Sequence, residues 1–416
     1  MVTTAYLVLA LLLGTPAASG SGESIRGDLE HGGESVSGVV ITVRSGDQVL
    51  GTAESAADGS WEVAVPGPGT YQVEIDVASL PEGVALRHPD RSLLDSVEVQ
   101  AGQHKSVVFP LGERAVERSG AVTRLLNLVA KGLTYGAIVA LASVGLSLIF
   151  GVTGLVNFAH GELVTFGAVC AWFLNASSAG PGIHILWAVL PALAAAALMG
   201  AALERGLFRP LRRRRTGNIS LIVVSIGLSL FIRHIYLLLL GGAPRAYEQY
   251  AVQAQRSWGP FSLPPKDAAI IVVALLVLAA VGLMLRRTRV GTEMRAVADN
   301  KDLAEASGID VNRVILRTWV LGASLAGLGG ILLGITQTVV WDMGFVLLLT
   351  MFAAVVLGGI GTAYGAAVGG LIIGVTTEAS TFWLPVEFKV VVSLAVLILV
   401  LLVRPQGIFG LRERIG

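Results

Sequence analysis

Asn157, His160 and Glu162 stand together between two long apolar runs, in the stretch Gly151-Val-Thr-Gly-Leu-Val-Asn-Phe-Ala-His-Gly-Glu162. An imidazole beside a carboxylate could bind a metal or activate water. Two residues apart, however, they do not share a helix face, so neither a metal-binding nor a proteolytic pair is expected. Asn157 is expected to cap the following helix, with Glu162 at a membrane boundary. Other reactive patterns are missing from the sequence. It has no GxSxG nucleophile motif, no GxxxxGK[ST] phosphate loop and no pair of membrane aspartates. Asp47, Asp58, Asp76 and Asp90 offer calcium-type oxygens, but isolated aspartates in Gly- and Ser-rich turns are ordinarily turn formers. No catalytic residue, metal site or cofactor is expected.

Residues 286–313 suggest recognition rather than reaction. They read RRTRVGTEMRAVADNKDLAEASGIDVNR, with eleven ionisable side chains between apolar flanks. Arg286, Arg287, Arg289 and Arg313 mark the cytoplasmic face, because positive charge collects at inner membrane ends. Thr292 to Ala298 alternates apolar and charged residues at helical spacing. Asn300 is placed to cap a second short helix, Asp302 to complement its dipole, and Gly308 to end it. A mere connector could be far shorter. This loop has the make-up of a docking knob for a cytosolic partner.

These segments sit in a chain of two unlike parts. Hydrophobic residues make up 54% of the 416 and charged residues 14%, with 51 glycines. That balance indicates a polytopic membrane protein. Yet residues 21–118 hold sixteen acidic and seven basic side chains, and the remainder has the opposite excess. Residues 1–21 carry a short apolar core (Ala5–Leu13) followed by small residues, which fits an export signal, although no Lys or Arg precedes the core. Residues 35–112 alternate in short strand-like runs, such as Val39–Val43 and Trp61–Val65, separated by Gly-, Asp- and Pro-rich turns. An all-β sandwich is expected there, followed by a linker at 113–124 and a membrane domain over 125–410. The single cysteine, Cys170, excludes a disulfide.

From Leu125 onward, bilayer-length apolar runs predict passes near 127–150, 162–176, 184–205, 218–240, 268–285, 315–338, 346–359, 362–378 and 385–403. Nine passes put Arg205–Arg215, Arg286–Arg313 and the arginines at 404, 412 and 414 on one side, with the acidic β-domain outside. Eight would strand the C-terminal arginines outside. The string Leu357-Gly358-Gly359-Ile360-Gly361-Thr362, with Gly365 beyond, interrupts one run. Such glycines either pack helices closely or break a helix beside a transport pathway. No charge lies between Gly132 and Ala159 or between Gly344 and Thr377, whereas a self-contained ion-coupled carrier needs an intramembrane acid or relay.

Four segments stand out: "GLTYGAIVALASVGLSLIFGVTGLVNFAHGELVTFGA" (132–168), "GTEMRAVADNKDLAEASGIDVNRVILRTWVLGASLAGLGGILLG" (291–334), "AAVVLGGIGTAYGAAVGGLIIGV" (353–375) and "LLVRPQGIFG" (401–410). Together they resemble the LivH-type permease subunits of branched-chain amino-acid ABC importers. The N-terminal segment resembles a carboxypeptidase regulatory-like or Cna-B-type sandwich, a departure from typical permeases. The resemblance implies a multi-pass subunit of the bacterial cell membrane, without ATPase activity of its own. Its implied partners are two cytoplasmic ATP-binding subunits, a second permease (LivM-like or a copy of itself), an extracytoplasmic substrate-binding protein and the bilayer, with no nucleic acid. It assigns ATPase coupling to Gly291–Asn312, with Glu293, Arg295, Ala296, Asp299, Asn300, Asp302, Ala304, Gly308 and Ile309 as candidates. Asn157, His160, Gly161 and Glu162 match the family's "NFAHGE" signature and, with Gly358, Gly359, Gly361 and Gly365, are candidates for pathway or packing roles. Urea-type relatives also carry long N-terminal extensions. Urea or short amides therefore stand behind amino acids as cargo, and a self-contained secondary carrier stands behind both.

Overall fold

The computed structural model describes residues 23–111 and 121–410, apart from 32–33, 47, 82, 87–91, 100–101, 251–252, 254, 260 and 405. The expected signal segment, Asp47, Asp90, Arg412, Arg414 and most of the expected linker lie outside the described residues. The chain divides into two compact units, Met1–Ser119 and Gly120–Gly416.

The first unit is built on β-strands. β1 (Ser24–Asp28), β2 (Glu30–His31), β3 (Glu34–Ser35), β4 (Val40–Ser45) and β5 (Gln48–Glu54) precede β6 (Ser60–Ala64), β7 (Gly69–Ile75), β8 (Leu93–Val99) and β9 (His104–Ser106). A four-stranded sheet runs β5-β4-β7-β8 and a three-stranded sheet β6-β1-β9. Both sheets contribute to one core, through Ile41, Val43, Val73 and Ile75 from the first and Ile25, Trp61 and Val63 from the second. Two sheets sharing one core are consistent with a sandwich. The sheet begins at Ser24, ahead of the expected edge at residue 35, because β1 bridges β6 and β9. Asp58 and Asp76 are turn formers: Asp58 Oδ1 accepts from the Ser60 amide at 3.1 Å and Asp76 Oδ1 from the Ala78 amide at 2.9 Å.

The second unit is helical. Its long helices are α1 (Ala121–Thr153), α2 (His160–Asn175), α3 (Ile185–Arg213, with a π turn over Glu204–Phe208), α4 (Asn218–Leu240) and α5 (Pro265–Arg287). Two short helices follow, α6 (Arg289–Asp299) and α7 (Lys301–Ala306). Then come α8 (Val311–Thr336), α9 (Met343–Gly358), α10 (Ala363–Ser380) and α11 (Lys389–Val403). Among the described residues, α1, α3, α4, α5, α8 and the stretch ending in α11 are long and apolar enough to cross a membrane. α1 begins at Ala121, so the end of the expected linker is already helix.

α1 is the centre. The apolar windows of α1 and α8 are 89% and 78% buried, against 28% for α3 and α4, 22% for α5 and 6% for α11. Small residues let the backbones meet. A Cβ on Gly136 would stand 3.0 Å from Leu371 Cα in α10, and one on Gly145 would stand 2.5 Å from the Gly322 carbonyl in α8.

Candidate functional site

α1 ends at Thr153, where Gly154 turns the chain in the left-handed region at φ +70°. Instead of leaving the bundle, residues 154–159 double back along α1. His160, the first residue of α2, hydrogen-bonds the Ala142 carbonyl through Nε2 at 3.1 Å. Ala142 lies about 16 Å back from the Thr153 end of α1. Phe158 donates its amide to Ser225 Oγ at 3.1 Å, and Ser229 Oγ donates to Glu162 Oε1 at 2.8 Å. Ser229 is likewise about 16 Å from the start of α4. The start of α2 is thus buried three turns inside the bundle.

This corrects two expectations. Glu162, 1% exposed, is an interior carboxylate and not a boundary residue. Asn157 does not cap α2: its Oδ1 accepts from the Ala159 amide at 3.0 Å, closing a turn ahead of the helix, and Ala159 at the N-cap has no side-chain cap bond. Gly161 fits because a Cβ there would meet the Gly344 carbonyl at 2.5 Å. The Tyr236 hydroxyl donates to the Glu162 carbonyl at 3.0 Å. Polar capacity is left over on the three signature residues: Asn157 Nδ2, His160 Nδ1 and Glu162 Oε2 are buried without a partner.

The α4 residues facing this segment carry no signal in a linear reading. Leu221, Ser225, Ser229, Ile232, Tyr236 and Leu240 form its buried stripe at helical spacing. Arg233, one turn beyond Ser229, is half-buried with its guanidinium 4.1 Å from the Phe345 ring centroid. Glu204 was missed too: it is fully buried in the π turn of α3 and paired with both terminal nitrogens of Arg212. The uncharged runs 132–159 and 344–377 stand as read, and the charges buried in the helical unit lie outside them. Among the described residues, Glu162 and Glu204 are the buried carboxylates of this unit.

The polar loop folds as its caps dictate. Thr288 caps α6 through the Gly291 amide (3.2 Å) and Asn300 caps α7 through the Leu303 amide (2.9 Å). Gly308, at φ +85°, ends α7 with Gly308 N–H to Glu305 O at 2.9 Å and Ile309 N–H to Ala304 O at 3.0 Å, the paired bonds of a Schellman motif. Met294, Val297 and Ala304 face inward, and Ala296 is half-buried. Glu293 accepts from Arg317 at 3.0 Å, which ties α6 to α8. Arg295, Asp299, Asp302 and Gly308 are exposed, and so is Leu303 at 66%, an apolar side chain that sequence reading passed over.

The glycine string forms the turn between α9 and α10. Gly359 and Gly361 have φ +107° and +81°. A Cβ on Gly358 would collide with the Gly365 backbone, and one on Gly151 would stand 3.0 Å from the Gly361 carbonyl. The last carbonyls of α9 are satisfied from the C-terminal segment, Ile408 N–H to Leu357 O at 2.8 Å and Phe409 N–H to Gly358 O at 3.0 Å. Gly358 and Gly365 thus allow close backbone approach at this turn. Non-helical backbone also lies inside the bundle at 154–159.

In the β unit, the fold gathers Ser24, Glu62 and His104. Ser24 Oγ donates to Glu62, lies 2.6 Å from His104 Nδ1 and is 3% exposed. Serine and carboxylate meet the same imidazole nitrogen, so the ring cannot relay a proton between them. Among the described residues no three His, Cys, Asp or Glu side chains gather as a metal site.

Irregular backbone inside an apolar bundle survives only where protein or a solute path covers it, an arrangement typical of transport proteins. Comparison with known proteins defines the class further. The chain belongs to the branched-chain amino acid transport system permease component family, whose pattern matches residues 128–401. It is 34% identical over 299 residues to the high-affinity branched-chain amino acid transport system permease protein LivH of Salmonella typhimurium, covering 69% of this chain and 96% of that protein. BraD of Pseudomonas aeruginosa, described in the same words, is 33% identical over the same shares. LivM of Escherichia coli is 24% identical, covering 66% of this chain and 68% of LivM. The β unit lies outside the matched range. The protein is a multi-pass membrane transport component.

Proposed function

We propose that the chain is the membrane subunit of an ABC importer that carries branched-chain or similar apolar amino acids inward, driven by ATP hydrolysis on partner subunits. One observation carries the coupling: α6 and α7 are capped and anchored from within while presenting Arg295, Asp299, Asp302 and Leu303 outward. Two short helices fixed on one face and mixed in charge on the other suit a groove on an ATP-binding subunit. In this reading α1–α5 and α8–α11 make nine crossings, with the arginine-rich ends inside and the β unit outside. The solute path runs past the α2–α4 seam, where Asn157, His160 and Glu162 offer hydrogen bonds within an otherwise apolar wall. A second permease and an extracytoplasmic binding protein complete the assembly, and the acidic β unit spaces or docks that binding protein.

The test is uptake by the assembled transporter in vesicles. Arg295→Glu, or deletion of residues 301–308, should abolish uptake while the subunit still inserts. Normal uptake by either variant would remove the loop from the mechanism. Purified permease driving uphill uptake without ATP would refute the reading altogether. A ligand screen of the binding protein separates amino acids from urea and short amides.

A further inference from the structure

Lys301 occupies a position that its own helix disfavours. It is the first residue of α7, where the helix dipole repels a cation, and the complementary charge there is already Asp302. Its ammonium reaches instead across 148 residues of sequence to donate to the Thr153 carbonyl at 2.9 Å. Thr153 is the last residue of α1, so that carbonyl has no partner within its helix, and a cation at a helix C-terminus is favoured. Partial desolvation of its ammonium lowers the Lys301 pKa from its ordinary value although the residue is exposed overall, Arg212 pushes in the same direction and Asp302 opposes both. Arg212 is held in turn by the buried Glu204.

Thr153 is also where the doubled-back segment starts. Its hydroxyl donates to the Ile149 carbonyl at 2.6 Å and accepts from the Leu155 amide at 3.1 Å, fixing how the chain leaves α1. Four residues later comes Asn157, then His160 and Glu162. This hydrogen bond therefore joins the outward-facing helix pair, beside the inward packing of Met294 and Val297, to the backbone that sets the interior polar residues. Resting on the coupling reading above, we propose that Lys301 is a positioning residue: it ties the ATPase-docking helices to residues 154–159, so that displacement of α7 moves the segment carrying Asn157, His160 and Glu162.

The test uses the complete transporter in vesicles, with Cys170→Ala removing the one native thiol and Val156→Cys, half-buried in the segment, as a reporter. In the parent, labelling of Val156→Cys by a small thiol reagent should change severalfold when ATP is trapped with vanadate. Lys301→Met should make labelling independent of nucleotide and lower substrate uptake per ATP hydrolysed at least tenfold, while Lys301→Arg restores both. Nucleotide-dependent labelling with unchanged uptake per ATP in Lys301→Met would overturn the tether. So would loss of assembly in both the Met and Arg variants, which marks a folding role only. A parent transporter without ATP-driven uptake refutes the functional reading and the tether together. An active parent beside an equally coupled Lys301→Met refutes the tether alone.

Discussion

Ser229 and Glu162, on different helices, share a hydrogen bond of 2.8 Å that is closed off from solvent on every side. The bond joins the peripheral α4 to the first turn of α2. Its second carboxylate oxygen, Oε2, has no partner. Ser229→Ala would leave the carboxylate bare and should cost about 1–3 kcal/mol. Thermal unfolding in detergent would measure this. Glu162→Gln, which keeps an acceptor for Ser229, should be milder in stability yet lower uptake. Equal stability loss in both variants would show that a neutral acceptor at 162 does not preserve the bond to Ser229, against this account.

Glu204 and Arg212 predict a non-additive pair. Arg212→Met strands a fully buried carboxylate and should destabilise by about 3–5 kcal/mol. Adding Glu204→Leu should recover most of that loss. Additive losses across the double-mutant cycle would mean the two groups do not interact energetically.

Gly161→Ala places a methyl group against the Gly344 carbonyl, with backbone on both sides. Helix separation should cost about 1–3 kcal/mol. Gly206→Ala serves as control, because nothing lies near its Cβ position. Indistinguishable melting of the two variants would contradict the close crossing of α2 and α9.

The β unit should weaken in acid. Hydrogen bonds from Ser60 hold the Asp58 carboxyl below its ordinary range, and bonds from its own backbone amide and from that of Gly102 do the same for Glu23. A pKa depressed in the folded state contributes stability above the unfolded pKa, and that stability is lost as pH falls through the folded value. Circular dichroism should therefore show strand loss below the usual carboxylate range, less so in Asp58→Asn with Glu23→Gln. Identical acid transitions in parent and variant would count against these bonds.

Much of this was legible in the residues. Each expected membrane run overlaps a helix, because apolar length alone marks them. Asn300, Asp302 and Gly308 located the short helices, since caps are local chemistry. The depth of Glu162 was not legible: Ser225, Ser229 and Tyr236 fix it from more than sixty positions away. β1 was missed because Arg26 and Asp28 leave only Ile25 as an apolar cue, and its strand character comes from pairing with β6 and β9. The Glu204–Arg212 pair was hidden inside an arginine cluster that reads only as a topology marker.

Ile408 and Phe409 close the buried end of α9 only after the rest of the bundle has been synthesised. Without them the Leu357 and Gly358 carbonyls, buried at the end of α9, would lose these partners. The final stretch thus completes the hydrogen bonding of an earlier helix. Anyone trimming this subunit for expression should cut beyond it.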